Sequence, residues 1–329
     1  MKSPGNPSMP RILYTPAYDM AFLGLERLHP FDGRKSTRAL RLVRGALGTP
    51  LDGLVIAPEA PATQPSLRLI HDERYLASLR SSTVVSRVLE VSPLRWVPGA
   101  ALDRAVLRPM RWAVQGTIDA ARNALTHGAA INLAGGYHHA HRDHGEGFCV
   151  YADIPIAIET LRRDGLLSER DRVLIVDLDA HRGNGFESIC ERDERMVYFD
   201  IYNAEVYPGP ARLPASHMFL FGCGSGMTDQ AYRDVLEEHL PEVLSRGPFA
   251  LAFYNAGTDV LAGDPLGQFD LSREAVLRRD RYVIESLEDS GVPWVMVPSG
   301  GYTEASHRLL ADTVVWACGR RSAGESSRR

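Results

Sequence analysis

Six short apolar segments constrain the fold of this chain more than any other feature of its sequence. They are rich in β-branched and aromatic residues, and their length suits strands better than helices. Apolar residues run through them almost without interruption, which is typical of strands covered on both faces in a parallel sheet. The segments are residues 11–15, 129–134, 172–179, 196–202, 249–257 and 293–301.

Helices with an apolar stripe are predicted between these strands, at residues 111–128, 228–247 and 272–291. Ser272 is a residue type that caps a helix N-terminus, and Gly128 is a type that ends one. Pro241 predicts either a kink or a division of the second segment into two helices. The alternation of strands and helices predicts an α/β fold, a doubly wound and mainly parallel sheet flanked by helices.

The bulk composition argues against several classes of function. A net charge of -4 over 329 residues lacks the basic surface of a nucleic-acid-binding protein. No stretch approaches the ~20 apolar residues of a membrane-spanning helix. None of the four cysteines lies in a CxxC pair, which argues against a cysteine zinc site and favours reduced thiols. We therefore expect a cytoplasmic protein without a membrane span or a nucleic-acid partner, with flexible ends at residues 1–10 and 319–329.

Chemically versatile side chains stand directly after four of the predicted strands. In open parallel sheets, ligands bind beyond the carboxyl ends of the strands. The residues there are "GGYHHA" (135–140), "DAHRGNG" (179–185), "TDVLAGD" (258–264) and "SGGY" (299–302). Any one of these could arise by chance, but together they predict a site built from His, Asp and Tyr at one edge of the sheet.

The segment "DLDAH" (177–181) indicates a metal site. Side chains at alternate positions of an extended chain project to the same side, so Asp177, Asp179 and His181 point the same way. The plainer interpretation is a helix-capping Asp followed by an unrelated surface His. With Asp259 from another strand end, two carboxylates and one imidazole with an open position suit a hydrolytic Zn²⁺ ion, and Fe²⁺ or Co²⁺ accept similar ligands.

Proton-transfer groups are predicted beside this metal. His138 and His139 are adjacent, and the preceding Gly-Gly break can turn both imidazoles towards one pocket. Histidine can accept a proton from water and donate one to a leaving amine near neutral pH. Tyr302, after Gly300-Gly301, can place a phenol donor at the oxyanion of an amide under attack. A loop histidine and a packing aromatic are the ordinary alternatives for such residues taken one at a time.

Five ordered motifs resemble the histone deacetylase family. They are "LAGGYHHA", "GFCVYADIPIA", "DLDAHRGNG", "YNAGTDVLAGDPLG" and "SGGYT". Further stretches, including "GLERLHPFDGRK" (24–35), "VLRPMRWAVQGTI" (106–118) and "FDIYNAEVYPG" (199–209), are similar to the class IV branch. The resemblance implies an arginase/deacetylase fold and one catalytic domain over residues 11–318.

The resemblance also implies roles for individual residues. The zinc ligands would be Asp179, His181 and Asp259, with His138 and His139 as the proton-transfer pair and Tyr302 as the carbonyl polariser. Asp177 would orient His138. The resemblance implies three further sets of residues: Gly147, Phe148, Gly300 and Gly301 for substrate binding, Asn184 beside His139, and Asp177, Asp179, His181 and Asp200 for a structural K⁺ ion.

Asn184 departs from the pattern of many deacetylases, which have Asp at this position. An amide supplies no negative charge, so His139 should be harder to protonate, and class IV members share this feature. The Gly-Gly-Tyr before His138 likewise departs from the commoner triple glycine.

The expected activity is zinc-dependent hydrolysis that removes an acetyl or longer fatty acyl group from N-ε-acyl-lysine in a protein or peptide. The same chemistry on a small acylated amine, such as an acetylpolyamine, is the nearest alternative. A catalytically silent acyl-lysine-binding module is a third, and arginase-like ureohydrolysis would expect a two-metal, Asp-rich site instead. The sequence leaves the oligomeric state and the acid and base roles of the two histidines open.

Overall fold

An eight-stranded sheet crosses the molecule. The computed structural model describes residues 9–21, 30–48, 51 and 53–326. The strands are β1 (Arg11–Leu13), β2 (Val55–Ile56), β3 (Ala129–Asn132), β4 (Val173–Asp177), β5 (Met196–Asn203), β6 (Met218–Cys223), β7 (Leu251–Asn255) and β8 (Trp294–Val297). Their order is β2-β1-β3-β8-β7-β4-β5-β6, and every neighbouring pair is parallel.

Helices connect these strands. They are α1 (Lys35–Leu47), α2 (Gln64–Leu67), α3 (Glu73–Ser78), α4 (Ser82–Val88), α5 (Gly99–Leu102), α6 (Arg108–His127), α7 (Asp153–Arg163), α8 (Asn184–Cys190), α9 (Asp229–Ser245), α10 (Arg273–Asp289) and α11 (Ser306–Ser326). Short 3-10 turns occupy Pro16–Tyr18 and Ser92–Trp96, and a π-helical turn, Asp103–Leu107, leads into α6.

Both faces of the sheet are covered. On one face, α6 and α7 pack with the short helices α2–α5 against side chains such as Ile175 and Phe253. On the other face, α1, α9, α10 and α11 cover side chains such as Val176 and Tyr254. Because neighbouring residues of one strand enter opposite cores, the strands are apolar throughout, as the sequence predicted. The predicted doubly wound parallel fold is confirmed.

Each of the six predicted segments contains a strand, although the strands are mostly shorter than predicted. The segment at 172–179, for example, leaves the sheet after Asp177. β2 and β6 were not predicted. Both are edge strands. β2 has only two residues, whereas β6 has the apolar sequence MFLFGC but is mostly half-buried.

The predicted helices are present as α6, α9 and α10. Ser272 caps α10 with its side chain, and Gly128 follows α6 in the left-handed conformation. α9 continues through Pro241, so the alternative of two separate helices is wrong. Among the described residues, no helix combines the length and apolarity needed to cross a bilayer.

The ends of the chain bear on two sequence predictions. Residues 1–8, 327–329 and the stretch 24–29 of the motif "GLERLHPFDGRK" lie outside the described residues. α11 extends to Ser326, which lies within the segment 319–329 predicted to be a flexible tail. The flexible ends and the domain limits at 11 and 318 stay predictions.

Candidate active site

The four strand ends singled out in the sequence are consecutive in space. They belong to β3, β8, β7 and β4, which are neighbours in that order. The strands are parallel, so their carboxyl ends meet at one edge of the sheet. The loops that follow them therefore converge, and each contributes side chains to the same site.

The Gly-Gly break after β3 has a steric cause. Gly135 and Gly136 have φ angles of 99° and 86°, which favour glycine. A Cβ on Gly135 would lie 2.4 Å from Asp153 Oδ2, and one on Gly136 would lie 2.3 Å from Asn255 Oδ1. Asp153, at the start of α7, accepts hydrogen bonds from the Gly136 and Tyr137 backbone amides at 3.0 and 2.9 Å. This buried carboxylate, which sequence reasoning missed, therefore shapes the turn that presents the two histidines.

The paired imidazoles face the same pocket, as predicted. Their ring centroids are 4.1 Å apart, and both side chains are buried. His138 Nδ1 donates to Asp177 Oδ2 at 3.0 Å, whereas His139 Nδ1 donates to Asn184 Oδ1 at 2.7 Å. One histidine is thus held by a carboxylate and the other by a neutral amide.

This difference separates the protonation of the two histidines. Burial alone would lower the pKa of His138, but the charges of Asp177 and Asp179 outweigh it and raise that pKa to about 9. Burial and the neighbouring His138 charge lower the pKa of His139 well below its ordinary value. The pair therefore favours a charged His138 beside a neutral His139.

The predicted metal ligands converge. His181 Nδ1 lies 3.1 Å from Asp179 Oδ1 and 2.9 Å from Asp259 Oδ2. Ligand atoms around a tetrahedral zinc ion lie ~3.3 Å apart, so the set can close on one ion with little movement. The Gly300 amide donates to Asp179 Oδ2 at 2.8 Å, and the Ala180 amide donates to Asp259 Oδ1 at 2.9 Å. These bonds orient both carboxylates.

The electrostatics of this trio also suit a cation. Asp179 and Asp259 are both fully buried. Burial and the negative charge of Asp179 raise the pKa of Asp259 to about 7. Two carboxylates crowded in a dry site repel each other, and a divalent ion relieves both the repulsion and the desolvation.

A second pair of carboxylates lies beneath this site. Asp177 and Asp200 are opposite each other in the β4–β5 register, and the Tyr198 hydroxyl lies 2.9 Å from one carboxylate and 3.2 Å from the other. Asp200 Oδ1 is buried without a hydrogen-bond partner. Burial and the Asp177 charge raise the pKa of Asp200. Such an orphaned buried oxygen is compatible with the monovalent cation that the family resemblance implies.

The turn after β8 places Tyr302 beside the metal ligands. Its ring centroid is 6.1 Å from that of His181, and burial raises the pKa of the phenol, so the hydroxyl stays a donor. A Cβ on Gly300 would lie 2.4 Å from Asp259 Oδ2, and Gly301 has a φ of 129°. Gly300 therefore lies against the metal ligands, and Gly301 permits the turn that carries the phenol.

Phe148 and Gly147 line the same pocket as Tyr302. Phe148 has a φ of 66°, and its ring centroid lies 6.0 Å from that of Tyr302. A Cβ on Gly147 would lie 2.4 Å from His139 Cδ2. The glycine thus lets the loop pass directly over the histidine, and the Phe148 ring packs edge-on against the phenol ring.

The pocket beside these groups is largely apolar. It measures about 740 Å³ with its open mouth included. Apolar side chains line it next to the histidines and Tyr302, namely Tyr18, Met20, Phe31, Leu89, Met110, Leu133 and Phe148. Such a lining favours a hydrocarbon group in the pocket.

Lys35 is a site residue that sequence reasoning missed. Its buried ammonium donates to the Ser299 and Gly300 carbonyls at 2.6 and 3.0 Å. Burial lowers its pKa to about 8, although the charges of Asp259 and Asp179 act in the opposite direction. Lys35 begins α1 and follows no predicted strand, and although it ends the motif "GLERLHPFDGRK", no role was predicted for it from the sequence.

Glu146 was also missed. Asn184 Nδ2 donates to Glu146 Oε1 at 2.5 Å, which leaves the amide oxygen to accept from His139. The hydrogen bond with His141, helped by Asn184 and Tyr207, lowers the pKa of Glu146 to about 2 against the effect of burial. A permanent carboxylate therefore fixes the amide orientation, and with it the His139 tautomer whose Nε2 is free to accept a proton.

Comparison with known proteins agrees with this geometry. The histone deacetylase domain family matches residues 29–318. The chain is 40% identical to "Histone deacetylase 2" of Arabidopsis thaliana over 305 residues, covering 92% of this chain and 77% of that protein. It is 34% identical over 287 residues to an uncharacterized protein of Picosynechococcus, covering 85% and 90% respectively.

A solved structure of the HDA15 HD domain superposes with a TM-score of 0.73 at 20% identity, covering 95% of this chain and 88% of that one. At this identity the likeness concerns the fold, and it agrees with the parallel sheet described above. With the family match spanning most of the chain, this protein belongs to the histone deacetylase family.

Proposed function

We propose that this protein is a zinc-dependent hydrolase that removes acyl groups from N-ε-acyl-lysine. The observation that carries the proposal is the joint placement of three groups in one buried pocket: the trio Asp179, His181 and Asp259, the histidine pair, and Tyr302. Family membership supports the deacetylase chemistry.

Asp179, His181 and Asp259 would hold the zinc ion. Two carboxylates and one imidazole leave an open position, as in catalytic rather than structural zinc sites. Bound there, zinc would supply Lewis acidity to a carbonyl oxygen and to water. Fe²⁺ and Co²⁺ are compatible with the same donors.

The two histidines have different roles. His139, neutral and held by Asn184 at Nδ1, presents Nε2 to take a proton from water. His138, paired with Asp177 and protonated, supplies the positive charge that stabilises the developing oxyanion. The proton taken by His139 then passes to the departing amine. Tyr302 donates to the carbonyl oxygen of the substrate amide from the opposite wall of the pocket.

The acyl group would occupy the apolar pocket, whose lining suits acetyl and longer fatty chains. An acetylpolyamine is the alternative substrate, and an acidic rim would favour it. Asp32 is the one carboxylate among the described residues lining this pocket, and it pairs with Arg38 at 3.1 Å. The lining therefore favours a neutral acyl chain over the attraction of a polycation.

Three finer assignments belong to the same proposal. A K⁺ ion would lie near Asp177 and Asp200, where a buried carboxylate oxygen has no partner. The class IV branch is supported by the Gly-Gly-Tyr and Asn184 departures in the sequence. The cytoplasmic location remains a prediction from composition.

A substrate panel tests the proposed activity. Lysine peptides carrying acetyl to myristoyl groups, with acetylpolyamines alongside, are incubated with the zinc-loaded protein. We expect hydrolysis of acyl-lysine, lost after chelation and restored by zinc. Preference for polyamines would reassign the substrate, and binding of acyl-lysine without turnover would indicate a silent binding module.

A further inference from the structure

A second group of metal-ligating side chains lies on the loop after the histidine pair. It consists of His141, His144 and Glu146, and we call it the loop cluster. His141 Nε2 lies 3.2 Å from Glu146 Oε1, and His144 Nε2 lies 3.9 Å from Glu146 Oε2. The two imidazole rings are stacked, with centroids 4.2 Å apart and planes within 10°. One ligand atom from each residue lies within 4.8 Å of the others.

The orientation of each ring points its Nε2 towards the centre of the cluster. His141 Nδ1 lies 2.9 Å from Ser188 Oγ, and His144 Nδ1 lies 2.7 Å from Asp143 Oδ1. A histidine that binds a metal through one nitrogen usually donates the other to an oxygen, which fixes its tautomer. Both histidines of the loop cluster have this arrangement without any contribution from the catalytic ligands.

Hydrogen bonds hold the loop in this conformation. The His141 amide donates to the His144 carbonyl at 2.9 Å, which brings the two side chains together. The Arg142 carbonyl accepts from the Asp72 amide at 3.0 Å, and the Arg142 side chain pairs with the Asp72 carboxylate at 3.1 Å. These bonds hold the backbone that carries the ligands before any ion binds, and the ligand atoms, within 4.8 Å of one another, need to move closer to coordinate one ion.

We propose that the loop cluster binds a divalent transition-metal ion, with zinc as the first candidate. Two imidazoles and one carboxylate form a donor set that suits Zn²⁺, Ni²⁺ or Cu²⁺. The partial exposure of His141, His144 and Glu146 leaves remaining coordination positions to water. The site is distinct from the buried trio Asp179, His181 and Asp259.

A metal ion bound to the loop cluster would affect the active-site residue His139. Glu146 is both a ligand of the loop cluster and the acceptor that orients Asn184 against His139. A cation on Glu146 would withdraw electron density from that carboxylate and weaken its hold on the amide. This consequence, which rests on the proposed function, is inhibition of the deacylase by zinc in excess of the catalytic equivalent.

Zinc stoichiometry tests the site. The chelated protein is equilibrated with micromolar zinc, and bound metal is counted by mass spectrometry on folded, full-length chain. We expect two zinc ions for the wild type and one each for His144→Gln and Asp259→Ala. The control His127→Gln, at the end of α6 on the opposite edge of the sheet, should keep both.

The outcomes separate the two sites. One zinc in the wild type, unchanged by His144→Gln, would overturn the loop-cluster site. Two ions retained by Asp259→Ala would instead contradict the catalytic zinc of the proposed function. For the coupling, we expect excess zinc to slow the wild type several-fold and to leave His144→Gln unaffected. If the wild-type protein binds two zinc ions but its rate is the same with and without excess zinc, only the coupling is refuted.

Discussion

Asn184 carries the difference between the two active-site histidines. With an Asp at this position the second histidine would have a charged partner of its own. Here the carboxylate in that hydrogen-bond chain, Glu146, is one hydrogen bond further away from the histidine. The amide relays orientation rather than charge, because its oxygen can face His139 only while its NH₂ group faces Glu146. The sequence left open how an uncharged Asn184 could hold His139, and the structure shows that Glu146 orients the amide.

Removing the charge of Glu146 should therefore impair catalysis. In Glu146→Gln, the partner of Asn184 can donate as well as accept, so the amide can turn and present its NH₂ group to His139. We expect kcat to fall about 10–100-fold with little change in KM, as for other partners that orient a functional histidine. Steady-state kinetics measures this loss.

Two controls accompany this variant. Glu187→Gln changes another half-buried glutamate of the same neighbourhood, on α8, and should leave kcat unchanged. In an Asn184→Asp background, the partner of His139 no longer needs orienting, and Glu146→Gln should cost little. A full loss in that background as well would show that Glu146 acts by another route.

Tyr302 should act through its hydroxyl alone. Tyr302→Phe keeps the ring that packs against Phe148 but removes the donor. We expect a fall in kcat of about 100–1,000-fold, the range for loss of one oxyanion donor, with unchanged zinc content. Kinetics and metal analysis on the same sample check this, and near-normal turnover would remove the assigned role.

At the scale of elements, α10 secures the loops that carry the metal ligands. The buried Arg279 on this helix donates from Nη1 to the carbonyls of Leu178 and Gly257, at 2.9 and 2.8 Å. Leu178 immediately precedes Asp179, and Gly257 lies two residues before Asp259. The guanidinium is itself paired with Asp280 at 2.8 Å. One helix thus ties together the ends of β4 and β7.

Loss of this guanidinium should destabilise the fold. Arg279→Met leaves Asp280 buried without its cation and leaves two carbonyls unpaired, at a cost of about 3–5 kcal/mol in the free energy of unfolding. Denaturant titration measures the loss. The exposed neighbour Arg278, paired loosely with Asp229 at 3.4 Å, supplies the control, and Arg278→Met should change stability by less than about 1 kcal/mol.

At the scale of the whole molecule, packing between distant segments supports the loop after the histidine pair. His71 Nε2 accepts from the Ala152 amide at 2.9 Å, and its Nδ1 lies 3.3 Å from the Arg142 carbonyl. This buried histidine therefore links the α2–α3 connection to both ends of the loop. Burial lowers its pKa to about 4, since the protonated ring would lose its acceptor nitrogen.

Acidification should lower the stability of the fold because of His71. Its folded pKa of about 4 lies below the ordinary value of 6.5, so the unfolded chain binds more protons between these values. Stability from this group is complete above pH 6.5 and is lost as the pH falls towards 4, by about 3 kcal/mol in total. Unfolding free energies measured across that range should show a slope that His71→Gln reduces and the exposed-site variant His144→Gln does not.

The sequence by itself determined the sheet, its buried central strands and the residues at four strand ends. These features are local: apolar runs define strands, and Asp179 and His181 follow one strand within two residues of each other. The edge strand β2 was not predicted because two residues are too few to give that signal, and β6 was missed although its segment MFLFGC is apolar. The tertiary structure alone decided that β3, β8, β7 and β4 are neighbours, and it alone brought Lys35, Glu146 and Arg279 to the site. Their contacts join residues far apart in the chain, and such contacts follow from packing of the whole sheet rather than from any periodicity along the sequence.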